Sequence, residues 1–153
     1  MRSIASVFIL GIILVLGSCR ADFETVASTG DLKFSKDTVY LDTVFTNIGS
    51  STYQLKVYNK SKNDINIPII QFEKGLNSKY RMTVDGQQGT AGKIFKDITL
   101  LAKDSLYIFI ETTASIADAN PTDFLYTDKI QFDSGANLQT VELVTLIKDA
   151  IFL

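Results

Sequence analysis

Histidine and tryptophan are absent from this 153-residue chain, cysteine occurs once and proline twice. Each absence removes a class of chemistry. Without histidine there is no ordinary general base near neutral pH, no usual serine triad and no imidazole ligand for zinc. A single cysteine can form no disulfide within the chain and no thiolate cage for a metal. Without tryptophan, the aromatic-lined cleft of a paired-carboxylate glycosidase is hard to build. A glycine-rich phosphate loop is also missing: GQQGTAG, residues 86–92, lacks the following lysine with serine or threonine and the strand-to-helix setting, and reads as a hairpin loop. The expectation is a protein that is not an enzyme and carries no cofactor.

Charge excludes further partners. Fifteen basic residues stand against 17 acidic ones, and the lysines from Lys33 to Lys148 are scattered among acids, so no clustered basic face for nucleic acid is expected. Carboxylates are the remaining route to a metal. Asp118, Asp123 and Asp128 fall in a loop-rich stretch and Asp37 and Asp42 flank a strand, but neither set has the order of a calcium loop. They read as solvated acids, and no metal site is expected.

The one cysteine is placed with purpose. Met1 and Arg2 give a short positive start, and Ile4 to Gly17, IASVFILGIILVLG, is apolar apart from Ser6. This is the layout of a secretion signal. Crossing a bilayer takes about 20 apolar residues, which this run does not reach. The tetrapeptide Leu16-Gly17-Ser18-Cys19 that follows resembles the lipobox of bacterial lipoproteins. That resemblance implies cleavage before Cys19 and acylation of Cys19, so the partner of the mature chain would be membrane lipid. One acyl chain anchors marginally, and two or more anchor stably. Residues 1–18 are then a signal peptide, residues 19–30 a lipidated flexible tether, and residues 31–153 the domain. Losing Arg2 takes the basic count from 15 to 14 against 17 acids, a formal charge of −3. Asp22 and Glu24 soon after the cysteine are similar to the acidic signal of Bacteroidota lipoproteins, which implies an outer-membrane anchor with surface display favoured over periplasmic retention.

From Asp31 on, the apolar period is two. Val39, Leu41, Thr43 and Phe45 share one expected strand face, as do Tyr53, Leu55 and Val57, then Ile65, Ile67 and Ile69, and then Tyr80, Met82 and Val84. Leu106, Ile108 and Ile110 alternate with Tyr107, Phe109 and Glu111, and Val141, Leu143 and Thr145 with Glu142, Val144 and Leu146. Turn residues separate these runs at Asn47–Ser50, Ser61–Asp64, Asp85-Gly86, Lys103-Asp104 and Ser134–Asn137. Seven to nine short strands of this kind predict an all-β, immunoglobulin-like antiparallel β-sandwich. Pro68 inside INIPII belongs on an edge strand or at a bulge.

The run LKFSKDTVYLDTVFTNIGSSTYQLKVYNKSKNDINI, with YRMTVDG and AKDSLYIFIE after it, resembles the N-terminal immunoglobulin-like domain of Bacteroidota surface lipoproteins, often found ahead of right-handed parallel β-helix domains. The order F-T-N-x-G, L-x-V-x-N, D-S-L-Y-I-F is similar to the broader abnormal-spindle-type modules, which implies an adhesion or scaffold unit. The expected function is a non-enzymatic spacer, adhesion or assembly module of the cell envelope. The alternative is a ligand-binding surface lipoprotein that holds glycan or peptide for an uptake or receptor system; in either case an envelope protein or glycan is the expected partner.

Three sets of residues are candidates for contact or modification. TTASIADANPTDFLY, Thr112 to Tyr126, is the longest candidate loop, and Pro121, Phe124 and Tyr126 are its candidate partner-binding residues, unless Phe124 to Tyr126 simply begin the next strand. Tyr40, Tyr58 and Tyr107 alternate with apolar neighbours and could face outward toward sugars or pack as cross-strand pairs. Asp37-Thr38-Val39, Asp42-Thr43-Val44 and Asp104-Ser105-Leu106 are similar to O-glycosylation sites of exported Bacteroidota proteins, which makes Thr38, Thr43 and Ser105 candidates.

Overall fold

The described residues form eleven strands in two sheets, the six expected runs among them: β1 Val26–Ala27, β2 Lys33–Phe34, β3 Thr38–Tyr40, β4 Val44–Phe45, β5 Tyr53–Tyr58, β6 Ile65–Phe72, β7 Tyr80–Val84, β8 Ile94–Leu100, β9 Ser105–Thr112, β10 Leu125–Phe132 and β11 Gln139–Lys148. The computed structural model describes residues 24–119 and 122–149. One sheet runs β8-β6-β10-β11-β3, with β1 beside the start of β6 and β4 beside the end of β11. The other runs β2-β5-β9-β7. The inner faces close one core, in which Leu55, Ile108 and Ile110 of the second sheet lie with Ile67, Phe132 and Leu143 of the first in one cluster of buried apolar side chains. The fold is an all-β, immunoglobulin-like sandwich. Both apolar clusters lie between Leu32 and Ile147, so the chain from Cys19 onward carries its whole described core.

The expected inner faces hold on β3, β5, β7, β9 and β11 and change phase within β6 and between β3 and β4. Ile65 and Ile67 are buried, but Ile69 is only half-buried and Ile70 takes the inner position instead. The paired strand β8 reverses with it, burying Ile98 and Phe95 with exposed Asp97 and Lys96 between them. Pro68 therefore sits in a strand paired on both sides, at a gap in its ladder rather than at an edge.

A second reversal separates β3 from β4. Tyr40 pairs with Val144 and Val44 with Ile147, so four residues of one chain segment span three of β11. The extra residue is a bulge. It buries Val44 in place of the expected Thr43 and Phe45. The strand count exceeds seven to nine because the edges are cut into two- and three-residue pieces, and β1, β3 and β4 run parallel to their neighbours in an otherwise antiparallel frame.

Two expected connections also differ. Val26-Ala27 of the expected tether pairs with Ile65-Asn66, and Ser28 is buried, so the ordered domain begins before Asp31. The stretch 86–92 is not a simple hairpin: Gln87 bridges back to Val84, Met82 N–H donates to Gly92 O at 2.8 Å, and the chain then crosses to the other sheet as β8. Gly89 is required there. Its φ is +57°, and a Cβ would lie 2.5 Å from Ile94 O.

Strand direction fixes the two poles of the molecule. Val26 lies beside Ile65, five residues precede Ile70, Ile70 pairs with Phe132, Phe132 pairs with Gln139, and Lys148 is nine residues further in the same direction. Fourteen strand positions thus separate Val26 from Lys148, about 45 Å at a rise of about 3.3 Å per residue. The chain enters at one pole and leaves at the other.

Candidate functional site

The long connection between β9 and β10 lies at the C-terminal pole, and its first half is tied down. Ala114 is 1% exposed and packs with Val44 and Ile147 in a satellite cluster. Asn47 N–H donates to Ala114 O at 2.7 Å. Ser115 and Asp118 form a reciprocal cap on the short 3-10 turn Ile116–Asp118: Ser115 N–H and Oγ donate to Asp118 Oδ2 at 2.7 and 2.9 Å. Lys79 Nζ from the neighbouring β6–β7 loop reaches Asp118 Oδ1 at 3.1 Å. Burial alone would raise the Asp118 carboxyl; the Ser115 hydrogen bonds and Lys79 outweigh it and hold it below the usual carboxylate value.

The candidate contact residues separate here. Pro121 lies outside the described residues, as do Cys19 and its lipobox. Tyr126 is not a loop residue: it is in β10, half-buried, with its ring 5.1 Å from that of Tyr80. Its Oη accepts from Lys79 N–H at 3.0 Å, its carbonyl accepts from Tyr80 Oη at 3.2 Å, and Lys74 and Lys79 Nζ sit 4.1 and 4.8 Å from its ring centre. Burial raises both phenols, Tyr80 the more strongly. Phe124 precedes the strand, 41% exposed, with Lys148 Nζ 5.5 Å from its ring centre. Of the acids placed in this loop, Asp128 is instead inward on β10 and 2% exposed, accepting from Lys74 and Lys129 N–H at 3.2 and 2.8 Å.

The outer face of the second sheet holds two of the three tyrosines. Tyr107 and Phe109 stand in succession on β9, 6.4 Å apart and near parallel, 38% and 40% exposed. Lys56 on β5, the register partner of Tyr107, places Nζ 5.0 Å from Tyr107 and 5.2 Å from half-buried Tyr58. Lys60 Nζ lies 4.8 Å from the same Tyr58 ring. At the other end of this face, Arg81 pairs with Glu111 at 2.9 Å and donates to Thr113 Oγ1 at 2.8 Å. The Thr52 hydroxyl donates to Glu111 at 2.5 Å and, with Arg81, holds that carboxyl below its usual value. Tyr40 is on the other sheet, 71% exposed.

The modification candidates differ in access. Thr43 is exposed on the β3–β4 bulge, between Asp42, whose carboxylate accepts from Tyr53 Oη at 2.7 Å, and buried Val44. Thr38 is half-buried in β3 beside Glu142, and Ser105 half-buried at the start of β9, its N–H donating to Asp104 Oδ1 at 2.7 Å.

No family model matches the sequence, and no curated protein matches it. Solved structures do match in shape. A family 123 glycoside hydrolase from Clostridium perfringens superposes with a TM-score of 0.52 at 8% identity, over 78% of this chain and 27% of that one. The E. coli chaperone DraB gives 0.48 at 16% identity, over 80% and 57%. The ASH/PapD-like domain of human CEP192 gives 0.47 at 11% identity, over 88% and 97%. The chain spans a little over half of DraB and about a quarter of the hydrolase. At such identities the likeness concerns fold alone.

Proposed function

We propose that this chain is a membrane-anchored lipoprotein module of the cell envelope, held by acylated Cys19, that acts without catalysis as a spacer, adhesion or assembly unit. The observation that carries the reading is the opposition of the poles. A chain that enters at Val26 and leaves at Lys148, fourteen strand positions on, holds whatever lies at its C-terminal pole far from its tether. The spacer is stiff because its length is one hydrogen-bonded sheet, with β11 zipped to β10 over eight residue pairs. Asp149 is fastened at the far pole, its carboxylate accepting from Thr46 Oγ1 at 2.7 Å.

The test couples the chain from Cys19 onward through its one thiol to a maleimide lipid in a supported bilayer and measures layer thickness by neutron reflectometry. An upright module gives a protein layer of about 45 Å. A thin layer, with the sandwich lying flat, overturns the spacer reading.

A second reading, glycan binding by a surface lipoprotein, is favoured by the exposed Tyr107-Phe109 ridge beside Lys56. Aromatic faces with an adjacent cation suit sugars, above all acidic ones. Screening the domain on a glycan array, with Tyr107→Ala/Phe109→Ala as the control, decides it: binding that survives the double substitution is not on this face.

A further inference from the structure

A sheet that fills the core with one face is expected to be polar on the other. Near the C-terminal pole the first sheet departs from this. Tyr40 is 71% exposed, Leu125 54%, Phe124 41% and Leu146 39%. Register joins three of them, with Leu125 opposite Leu146 and Tyr40 beside half-buried Val144, and Phe124 adjoins through outward Lys148, whose Nζ is 5.5 Å from its ring centre. Together these four residues expose on the order of 400 Å² of surface, mostly apolar, the scale of the largest patch on an ordinary monomer. One side of a standard interface is about 800 Å², a little over half of it apolar. The patch is thus most of what one such interface needs.

The charges on the same row name the occupant. After Thr140, the outward positions of β11 read Glu142, Val144, Leu146, Lys148 in order. Turned end for end, this row is complementary to itself: Glu142 meets Lys148, and Val144 meets Leu146. Laid parallel, it sets Glu142 on Glu142 and Lys148 on Lys148. Glu142 is held at the rim by Lys129 at 3.1 Å, and Lys148 by the Phe124 ring. We propose that a second copy of this chain packs on the face formed by β3, β10 and β11, with the two β11 strands antiparallel across a two-fold axis. Face-to-face sheets stand about 10 Å apart, which suits facing Val, Leu and Tyr side chains.

The antiparallel arrangement has a consequence for anchored molecules. The patch is at the C-terminal pole, so the two copies overlap there and their N-terminal poles point in opposite directions. Such a pair joins chains held in two facing membranes. This consequence rests on the anchored reading; the self-association does not.

Sedimentation of the chain from Cys19 onward, with Cys19→Ala to prevent a disulfide, tests the contact. A concentration-dependent monomer–dimer equilibrium is expected, weakened about tenfold or more by Leu146→Lys. Glu142→Lys and Lys148→Glu should each be monomeric alone and should form mixed dimers when combined, because each supplies the charges the other lacks. Unchanged circular dichroism and melting show that the variants fold. A monomeric parent chain, or a mixture that stays monomeric, overturns the proposal. Two vesicle populations bearing the chain through Cys19 should cluster, and Leu146→Lys should abolish clustering; dimers in solution without clustering would overturn the antiparallel arrangement. A Cys19 that takes up no fatty acid in cells would remove the anchored reading and leave the solution dimer standing.

Discussion

Pro68 faces Asp97 across the β6–β8 ladder at the pair where neither bridges the other, while Ile67 with Ile98 and Ile69 with Lys96 keep one register on either side. Proline has no N–H to donate, and Asp97 stands at φ +53°, outside the strand region. Two consecutive outward residues on each strand result, and the inner face passes from Ile67 to Ile70 and from Ile98 to Phe95.

This kink predicts an unusual mutational pattern. Asp97→Val should destabilise by about 1–3 kcal/mol, because a β-branched residue is forced into the left-handed region. Asp97→Gly should stay within about 0.5 kcal/mol. Urea unfolding of both checks it; equal midpoints would mean the positive φ is not maintained.

Leu55 and Ile108 are register partners, each with no exposed surface. Leu55→Ala and Ile108→Ala should each cost about 2–5 kcal/mol through lost burial and the cavity left behind. Because the two cavities merge, the double variant should depart from the sum of the single ones by at least about 0.5 kcal/mol. Strict additivity in denaturant melts would place them in separate environments.

Acid stability should follow Glu111 and Asp118. Both carboxyls lie below their ordinary values of 4.5 and 3.8 in the fold, so the unfolded chain takes up protons first as pH falls. Their stabilisation is complete above the unfolded values and fades as pH drops through the lower, folded ones. Glu111→Gln/Asp118→Asn should flatten the acid limb of a stability–pH curve while leaving its slope near neutrality unchanged. An acid limb of unaltered steepness would assign it to other carboxylates.

Tyr126 serves the fold rather than the loop. Tyr126→Phe removes the acceptor of Lys79 N–H and should cost about 1–3 kcal/mol. Ile116→Ala, at an exposed position of the loop, should be near neutral. Thermal melts in which the two variants match would contradict this division.

Cys19→Ala should abolish lipid attachment, since the chain has no other thiol. Metabolic labelling with a fatty-acid probe measures it; a variant that still carries label sinks the lipobox reading.

Periodicity and turn chemistry are local, and so the sequence by itself determined β5, β7, β9 and β11 and several of the turns, while β1, β2 and β8 carried no such signal. Leu106, Ile108 and Ile110 face inward as their spacing requires, and the expected turn segments do turn, with Asn47, Asp85 and Lys103 at positive φ. Which residues share a surface is not local. The reversals at Pro68–Asp97 and between Tyr40 and Val44 depend on how a partner strand is hydrogen-bonded, and a one-residue change of phase moves every later side chain to the other face. Tyr126 was legible as an aromatic near a loop; that it packs on Tyr80 depended on two sheets meeting. Likewise Tyr40 read as an outward or cross-strand-packing tyrosine, Leu125 as part of the candidate loop or the start of the next strand, and Leu146 as an alternating strand residue. Only the pairing of β3 and β10 with β11, across about a hundred residues of chain in the first case, gathers them into one apolar face.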